Sequence, residues 1–107
     1  MNRALVVAQE ASEEAEAQAG YYAERAGEGV ALRFVVEIEA VYRGLSQGRF
    51  AGVSHPFARF RVPVKRVFLD RFPFAVVFFE DGDRVTVVAV EALRRRPGYW
   101  RARLRSH

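Results

Sequence analysis

The stretch Phe72-Pro73-Phe74-Ala75-Val76-Val77-Phe78-Phe79-Glu80-Asp81-Gly82-Asp83-Arg84-Val85-Thr86-Val87-Val88-Ala89-Val90 decides the fold. Its first half is apolar at consecutive positions, the pattern of a strand covered on both faces rather than one with a wet side. Glu80-Asp81-Gly82-Asp83 then supplies a tight turn, since an Asp-Gly pair tolerates the positive φ that a short hairpin demands. Residues 84–90 return as the antiparallel neighbour. Upstream, Phe60, Val62 and Val64 alternate with Arg61, Pro63 and Lys65, which predicts a third strand with Pro63 near its start or on an edge.

A sheet this apolar needs a cover, and the N-terminal half provides one. Residues 3–8 predict a short strand of β-formers, and the Glu/Ala-rich residues 9–25 predict a helix. Ala11, Ala15, Tyr22 and Ala26 fall near one helical stripe, while Glu10, Glu13, Glu14 and Glu16 crowd the first turns, where the helix dipole favours negative charge. Gly27 and Gly29 interrupt it. A second helix over residues 28–45 carries Ala31, Val35, Ile38, Tyr42 and Leu45 at helical spacing, with Val30, Phe34 and Val41 on a neighbouring face. Two apolar faces suit a helix packed on a sheet and on its helical neighbour, or one that leaves a groove open for a partner helix. Gly44, Gly48 and Gly52, closed by Ser54-His55-Pro56, mark the connection to the strands. The order is β-α-α-β-β-β, an α+β fold in a single domain over residues 1–107: an N-terminal strand, then a helical hairpin packed on a twisted antiparallel sheet.

Composition narrows the chemistry. Of the 107 residues half are apolar, and the net charge of +4 hides an asymmetry. Residues 1–48 hold 4 Arg and 8 Glu, a net of −4, whereas residues 49–107 hold 13 Lys and Arg against 5 Asp and Glu, a net of +8. That layout suits a nucleic acid or an acidic partner laid across the second half. With no cysteine, a disulfide framework, a thiolate metal site and a thiol nucleophile are all excluded. His55 and His107 lack the spacing of metal ligands, so no metal is expected, and no cofactor motif is present. Glu80, Asp81 and Asp83 lack the ligand series of a calcium loop and fit a polar turn. The apolar run near Met1 is too short for a signal-peptide core, and nothing approaches a membrane span, so a cytoplasmic protein without a membrane partner is expected.

The basic end is Arg94-Arg95-Arg96-Pro97-Gly98-Tyr99-Trp100-Arg101-Ala102-Arg103. After Glu91 there are six arginines and no carboxylate. Pro97, Tyr99 and Trp100 are expected to pin this segment to the domain, because a solvated tail has little use for a Tyr-Trp pair.

Taken in order, Tyr21-Tyr22-Ala23-Glu24-Arg25-Ala26-Gly27, Arg33-Phe34 with Glu37-Ile38, Lys65-Arg66-Val67, Arg71-Phe72-Pro73-Phe74 and the ending from Arg94 to Arg103 resemble the RelE/ParE superfamily of bacterial type II toxin-antitoxin toxins. The resemblance implies a toxin held inactive by a cognate antitoxin, in a toxin-antitoxin hetero-oligomer. Its targets would be DNA gyrase in the ParE branch, which includes plasmid-stabilisation systems, or messenger RNA on the ribosome in the RelE branch. Cleaving RNA requires cations on the scissile phosphate and groups that move protons. Arg61, Lys65, Arg66, Arg94 and Arg95 are the candidate cations and Tyr99 the candidate proton mover. Where similar toxins carry tyrosines this chain has Phe74 and Phe78, and Ala92 stands where a histidine often precedes the arginine run. Neither side-chain type transfers protons, which favours a ParE-like binding toxin over a nuclease, and a degenerate, non-toxic member that only binds antitoxin is also permitted. Target or nucleic-acid contacts are expected from Lys65, Arg66, Arg94, Arg95, Arg96 and Arg101, and antitoxin contacts from Phe34 and Val41.

Overall fold

The computed structural model describes residues 2–57 and 59–107. Along the chain run β1 (Ala4–Val7), α1 (Gln9–Ala26), α2 (Glu28–Ser46), β2 (Val53–Ser54), β3 (Val64–Phe68), β4 (Phe74–Asp81), β5 (Arg84–Ala92) and a closing 3-10 helix, η1 (Arg101–Ser106). The strands form one sheet in the order β1-β5-β4-β3-β2. Strands β2 to β5 pair antiparallel, but β1 lies parallel to β5, from Ala4 opposite Arg84 to Val7 opposite Val87. The sheet is therefore mixed, not wholly antiparallel. The helical hairpin between β1 and the later strands supplies the long connection that parallel pairing requires. The two-residue β2 has no sequence signature, being too short for an alternation to repeat.

The β4–β5 hairpin turns through Gly82 and Asp83, with Asp81 opposite Arg84. Positive φ falls on Gly82 (66°) and on no non-glycine residue, the pattern of a two-residue turn whose first central position is glycine. Pro63 immediately precedes β3, so its missing N–H costs the ladder nothing. Phe60 and Val62 fall outside the strand and pack beside it.

The helices cover one face of the sheet. Phe34, Ile38, Val41 and Leu45 from α2 and Ala11 from α1 pack on Val76, Phe78, Val85, Val87 and Val90. Phe34 sits among the rings of Tyr22, Phe72 and Phe74 at centroid distances of 5.4, 5.2 and 5.3 Å. The buried stripe of α2 thus runs through residues 34, 38, 41 and 45: Ile38 and Leu45 of the expected stripe are core and Tyr42 packs beside them, but Phe34 and Val41 from the neighbouring face complete it and Val35 is left exposed. Aromatic packing around Phe34 outweighs the Ala31–Val35 alternative because its ring removes far more apolar area from water. The opposite face holds a second core of Val64, Val77, Phe79, Val88 and Ala89, and what covers it is the C-terminal segment, through Trp100 and Leu104.

Candidate functional site

The basic segment is held on this second face by a buried carboxylate. Strand β5 carries one extra residue, Val88, between the Phe78–Val87 and Val77–Ala89 pairs. Such a bulge reverses the alternation of side chains beyond it. Val85 and Val87 face the helices before it, Val90 and Ala92 after it, so Glu91 turns to the Trp100 side. There Glu91, 1% exposed, accepts from Trp100 Nε1 at 2.8 Å, Arg66 Nη1 at 3.1 Å and the Gly98 amide at 3.4 Å. His55 completes the set. Its Nδ1 accepts from the Phe57 amide at 3.2 Å, so Nε2 carries the ring proton and donates towards both Glu91 oxygens at 3.1 and 3.2 Å. Burial alone would raise the Glu91 pKa, but the donors from Trp100, Gly98 and His55 outweigh it and hold it below its ordinary 4.5. Burial also outweighs the pull of Glu91 on His55, which is held below 6.5 and neutral.

A second anchor joins the segment to α1. Strand β1 ends at Val7, leaving the outer edge of β5 without a strand partner beyond Val87. Glu14 of α1 accepts from the Val90 amide at 3.0 Å, and Arg103 donates to the Val88 carbonyl at 3.2 Å and to Glu14 at 3.0 Å. The Tyr99 hydroxyl also donates to Glu14, and Arg95 lies over the Tyr99 ring, 3.7 Å from its centroid. Burial and the Glu14 carboxylate push Tyr99 well above its ordinary pKa, so this hydroxyl is an anchor and not a proton acceptor near neutral pH.

These anchors sort the arginines and lysine singled out from the sequence. Arg61 pairs with Asp81, Lys65 with Glu80 at 3.3 Å, Arg66 with Glu91, and Arg95 lies 3.8 Å from Glu14. Lys65 and Arg66 are consecutive strand residues and point to opposite faces. Five of the six catalytic candidates, Arg61, Lys65, Arg66, Arg95 and Tyr99, therefore do not converge on one place where a phosphate could sit, and each already has a carboxylate partner. Phe74 and Phe78 are core residues. Arg94 sits apart from the other free arginines, beside Tyr21, Tyr22 and Pro73.

What remains is a cationic surface around Arg101. Arg96, Arg101 and Arg105 line a hollow of about 440 Å³ with Gly98, Tyr99 and Ala102. Arg101 also borders a second hollow of about 410 Å³ with Pro56, Phe57 and Arg59. Among the described residues none of Arg59, Arg96, Arg101 and Arg105 forms an ion pair. Arg101 is instead positioned by carbonyls, donating from Nε to Gly98 at 3.0 Å and from Nη1 to Phe57 at 3.4 Å. Gly98 makes this approach possible. Its φ of 75° is one that side chains rarely adopt, and a Cβ there would stand 3.1 Å from Arg101 Nε and 3.2 Å from Phe57 Cβ. Arg59, Arg105, Phe57 and the Glu91 cluster were not expected from the sequence. One signal was present for Glu91, an acid inside an otherwise apolar strand, which demands buried donors.

The residues expected to contact an antitoxin, Phe34 and Val41, belong to the helical hairpin. Both lie in the core, Phe34 reaching the surface only as part of the floor of a groove. Along the outer side of the hairpin Ala15, Ala19, Phe34, Val35 and Ile38 floor an apolar groove between Glu16 and Glu39, and α2 leaves Leu32 and Val36 63% and 54% exposed. Among the described residues no group of acids and histidines could hold a metal ion, and no helix is long and apolar enough to cross a membrane.

The fold is similar to that of a solved structure described as the chromosomal ParDE TA system from P. aeruginosa, with a TM-score of 0.69 and 24% identity over 85% of this chain and 96% of that chain. No protein-family model matches the chain, and no curated protein does. The expected α+β architecture, a helical hairpin packed on a sheet, is the one observed, and it is shared with that structure.

Proposed function

We propose that this chain is a ParE-like toxin of a type II toxin-antitoxin module, which slows growth by binding a macromolecular target and is silenced by a cognate antitoxin. The likeness in fold to a ParDE system over most of both chains carries this reading. Binding is favoured over RNA cleavage by the fate of the would-be catalytic groups: Tyr99 is tied to Glu14, Lys65 and Arg66 diverge, and Phe74 and Phe78 are core. By resemblance the target is DNA gyrase in its complex with DNA, and the cationic surface around Arg101 is the face that meets that complex. The antitoxin covers the apolar side of the helical hairpin, where Leu32, Val35 and Val36 stand exposed beside the groove.

Expression of the chain alone should arrest growth, and co-expression with the product of its neighbouring gene should restore it and yield a co-purifying complex. Gyrase-DNA complexes trapped in arrested cells mark the gyrase mode, and intact transcripts are expected beside them. Growth and complex formation that are both indifferent to the neighbour would overturn the toxin-antitoxin reading.

A further inference from the structure

We propose that the two hollows sharing Arg101 form one binding site for a single-stranded nucleic acid, with Arg59, Arg96, Arg101 and Arg105 taking phosphates and Phe57 stacking a base. The inference rests on the reading of this surface as the one that meets the target, and names what it holds.

Three observations converge on a polyphosphate. First, the four arginines are spread along a continuous track, because Arg101 borders both hollows, and a chain of phosphates is the ligand that presents anions in series. Their forked guanidinium groups match phosphate oxygens, and no carboxylate of the described residues neutralises them. Second, Arg101 is pre-set by the Gly98 and Phe57 carbonyls, so a ligand finds it already aimed and less side-chain entropy is lost on binding. Third, Phe57 is an aromatic ring 50% exposed between Arg59 and Arg101. The carboxylates of an acidic protein surface pair with the arginines but not with the ring, whereas an unpaired base stacks on it whatever its identity while its phosphates meet the arginines beside it. Each hollow is also within the range of small-ligand sites, about 300–1,000 Å³.

The rest of the fold supports the placement. Trp100 and Leu104 are buried beneath the arginines, and Glu91 binds Trp100 and the Gly98 amide from below. The track is therefore mounted on the sheet and not on a loose end, which separates a site from a solvated charge run.

The test uses the full purified chain and fluorescein-labelled oligouridylate and oligothymidylate of about ten nucleotides, a length within known single-strand site sizes. Anisotropy is read over a salt series, with a polyglutamate peptide as the competing acidic ligand. For four phosphates the slope of log affinity against log salt should be about −3, and Arg105→Gln should make it shallower by about 0.7. Phe57→Ala should weaken oligonucleotide binding roughly 5- to 150-fold, with Phe57→Trp restoring it. Arg105 and Phe57 are exposed, so both variants should melt with the parent. Equal affinity for the two oligonucleotides supports a site reading phosphate and base alone, and preference for oligouridylate adds a contact to the 2′-hydroxyl. Failure to bind either oligonucleotide overturns the proposal. So does polyglutamate binding as tight as the oligonucleotides with no effect of Phe57→Ala, which makes the surface a dock for an acidic protein. Neither result touches antitoxin-dependent growth arrest, which tests the toxin reading separately.

Discussion

At Glu91 four donors, from the His55, Arg66 and Trp100 side chains and the Gly98 amide, meet one carboxylate that the sheet has removed from water. Such a charge is tolerable only while every partner is present. The pH dependence follows from the two titrating members. Both folded pKa values lie below the ordinary ones, so the unfolded chain binds more protons and stability rises with pH. The His55 contribution is complete above about 6.5 and is lost as pH falls towards its lower folded value; that of Glu91 is complete above about 4.5 and is lost below. The melting temperature should therefore be level above neutrality and fall in two stages on acidification. His55→Gln should erase the upper stage and keep the lower; if the upper stage survives, another group causes it. In the sequence His55 had no visible partner, because Glu91 lies 36 residues away and the two meet only across the sheet.

Among the elements, the helices were the most legible. Their spans follow from glycine punctuation and apolar periodicity, with α1 and α2 meeting at Gly27. Which stripe of α2 would be buried was not legible, since stripes through Phe34 and Val35 differ by one position and each satisfies helical spacing. Tertiary aromatic contacts chose Phe34. The consequence is a reversal of roles between neighbouring residues. Phe34→Asp should unfold the protein, because it places an unpaired charge in the core. Val36→Asp should leave the melting temperature within a few degrees and abolish copurification with the proposed antitoxin. If the Val36 variant keeps its antitoxin, the outer face of α2 is not the contact. Strand β5 was legible as a strand, but its bulge was not announced: Val85, Val87, Val90 and Ala92 show it as a break in alternation only once the helix-facing side is known.

Over the whole molecule three layers are stacked: helical hairpin, mixed sheet and C-terminal segment. The segment is the cover of a second core and carries Arg96, Arg101 and Arg105 on its outer side, so stability and the proposed target surface are mechanically joined there. Trp100 is fully buried and hydrogen-bonded to Glu91. Trp100→Ala should cost about 3–5 kcal/mol, as removal of a large buried aromatic does. Denaturant unfolding measures it, and a loss below about 1 kcal/mol would show that the segment contributes little to the fold. The acidic first half and basic second half meet where Glu14 binds Tyr99 and Arg103, so part of the formal charge asymmetry is consumed inside the fold. The remaining positive surface is smaller than the sequence suggested and better placed.

The order of β1, α1, α2, β3, β4 and β5, the covered β4–β5 hairpin, the helical hairpin and the pinning of the Tyr-Trp segment were determined by the sequence alone, because periodicity, turn chemistry and apolar content are local properties of neighbouring residues. The parallel placement of β1, the parity of Glu91 and the division of the arginines into neutralised and free were decided only by tertiary structure. Each depends on which distant residue is brought within a few ångströms. Arg95 and Arg96 are adjacent and chemically identical in the chain; one lies over Tyr99 near Glu14, the other lines an open hollow. Only the packing of α1 against β5 makes that difference, by setting a carboxylate beside the first and leaving the second free to meet an anion from outside.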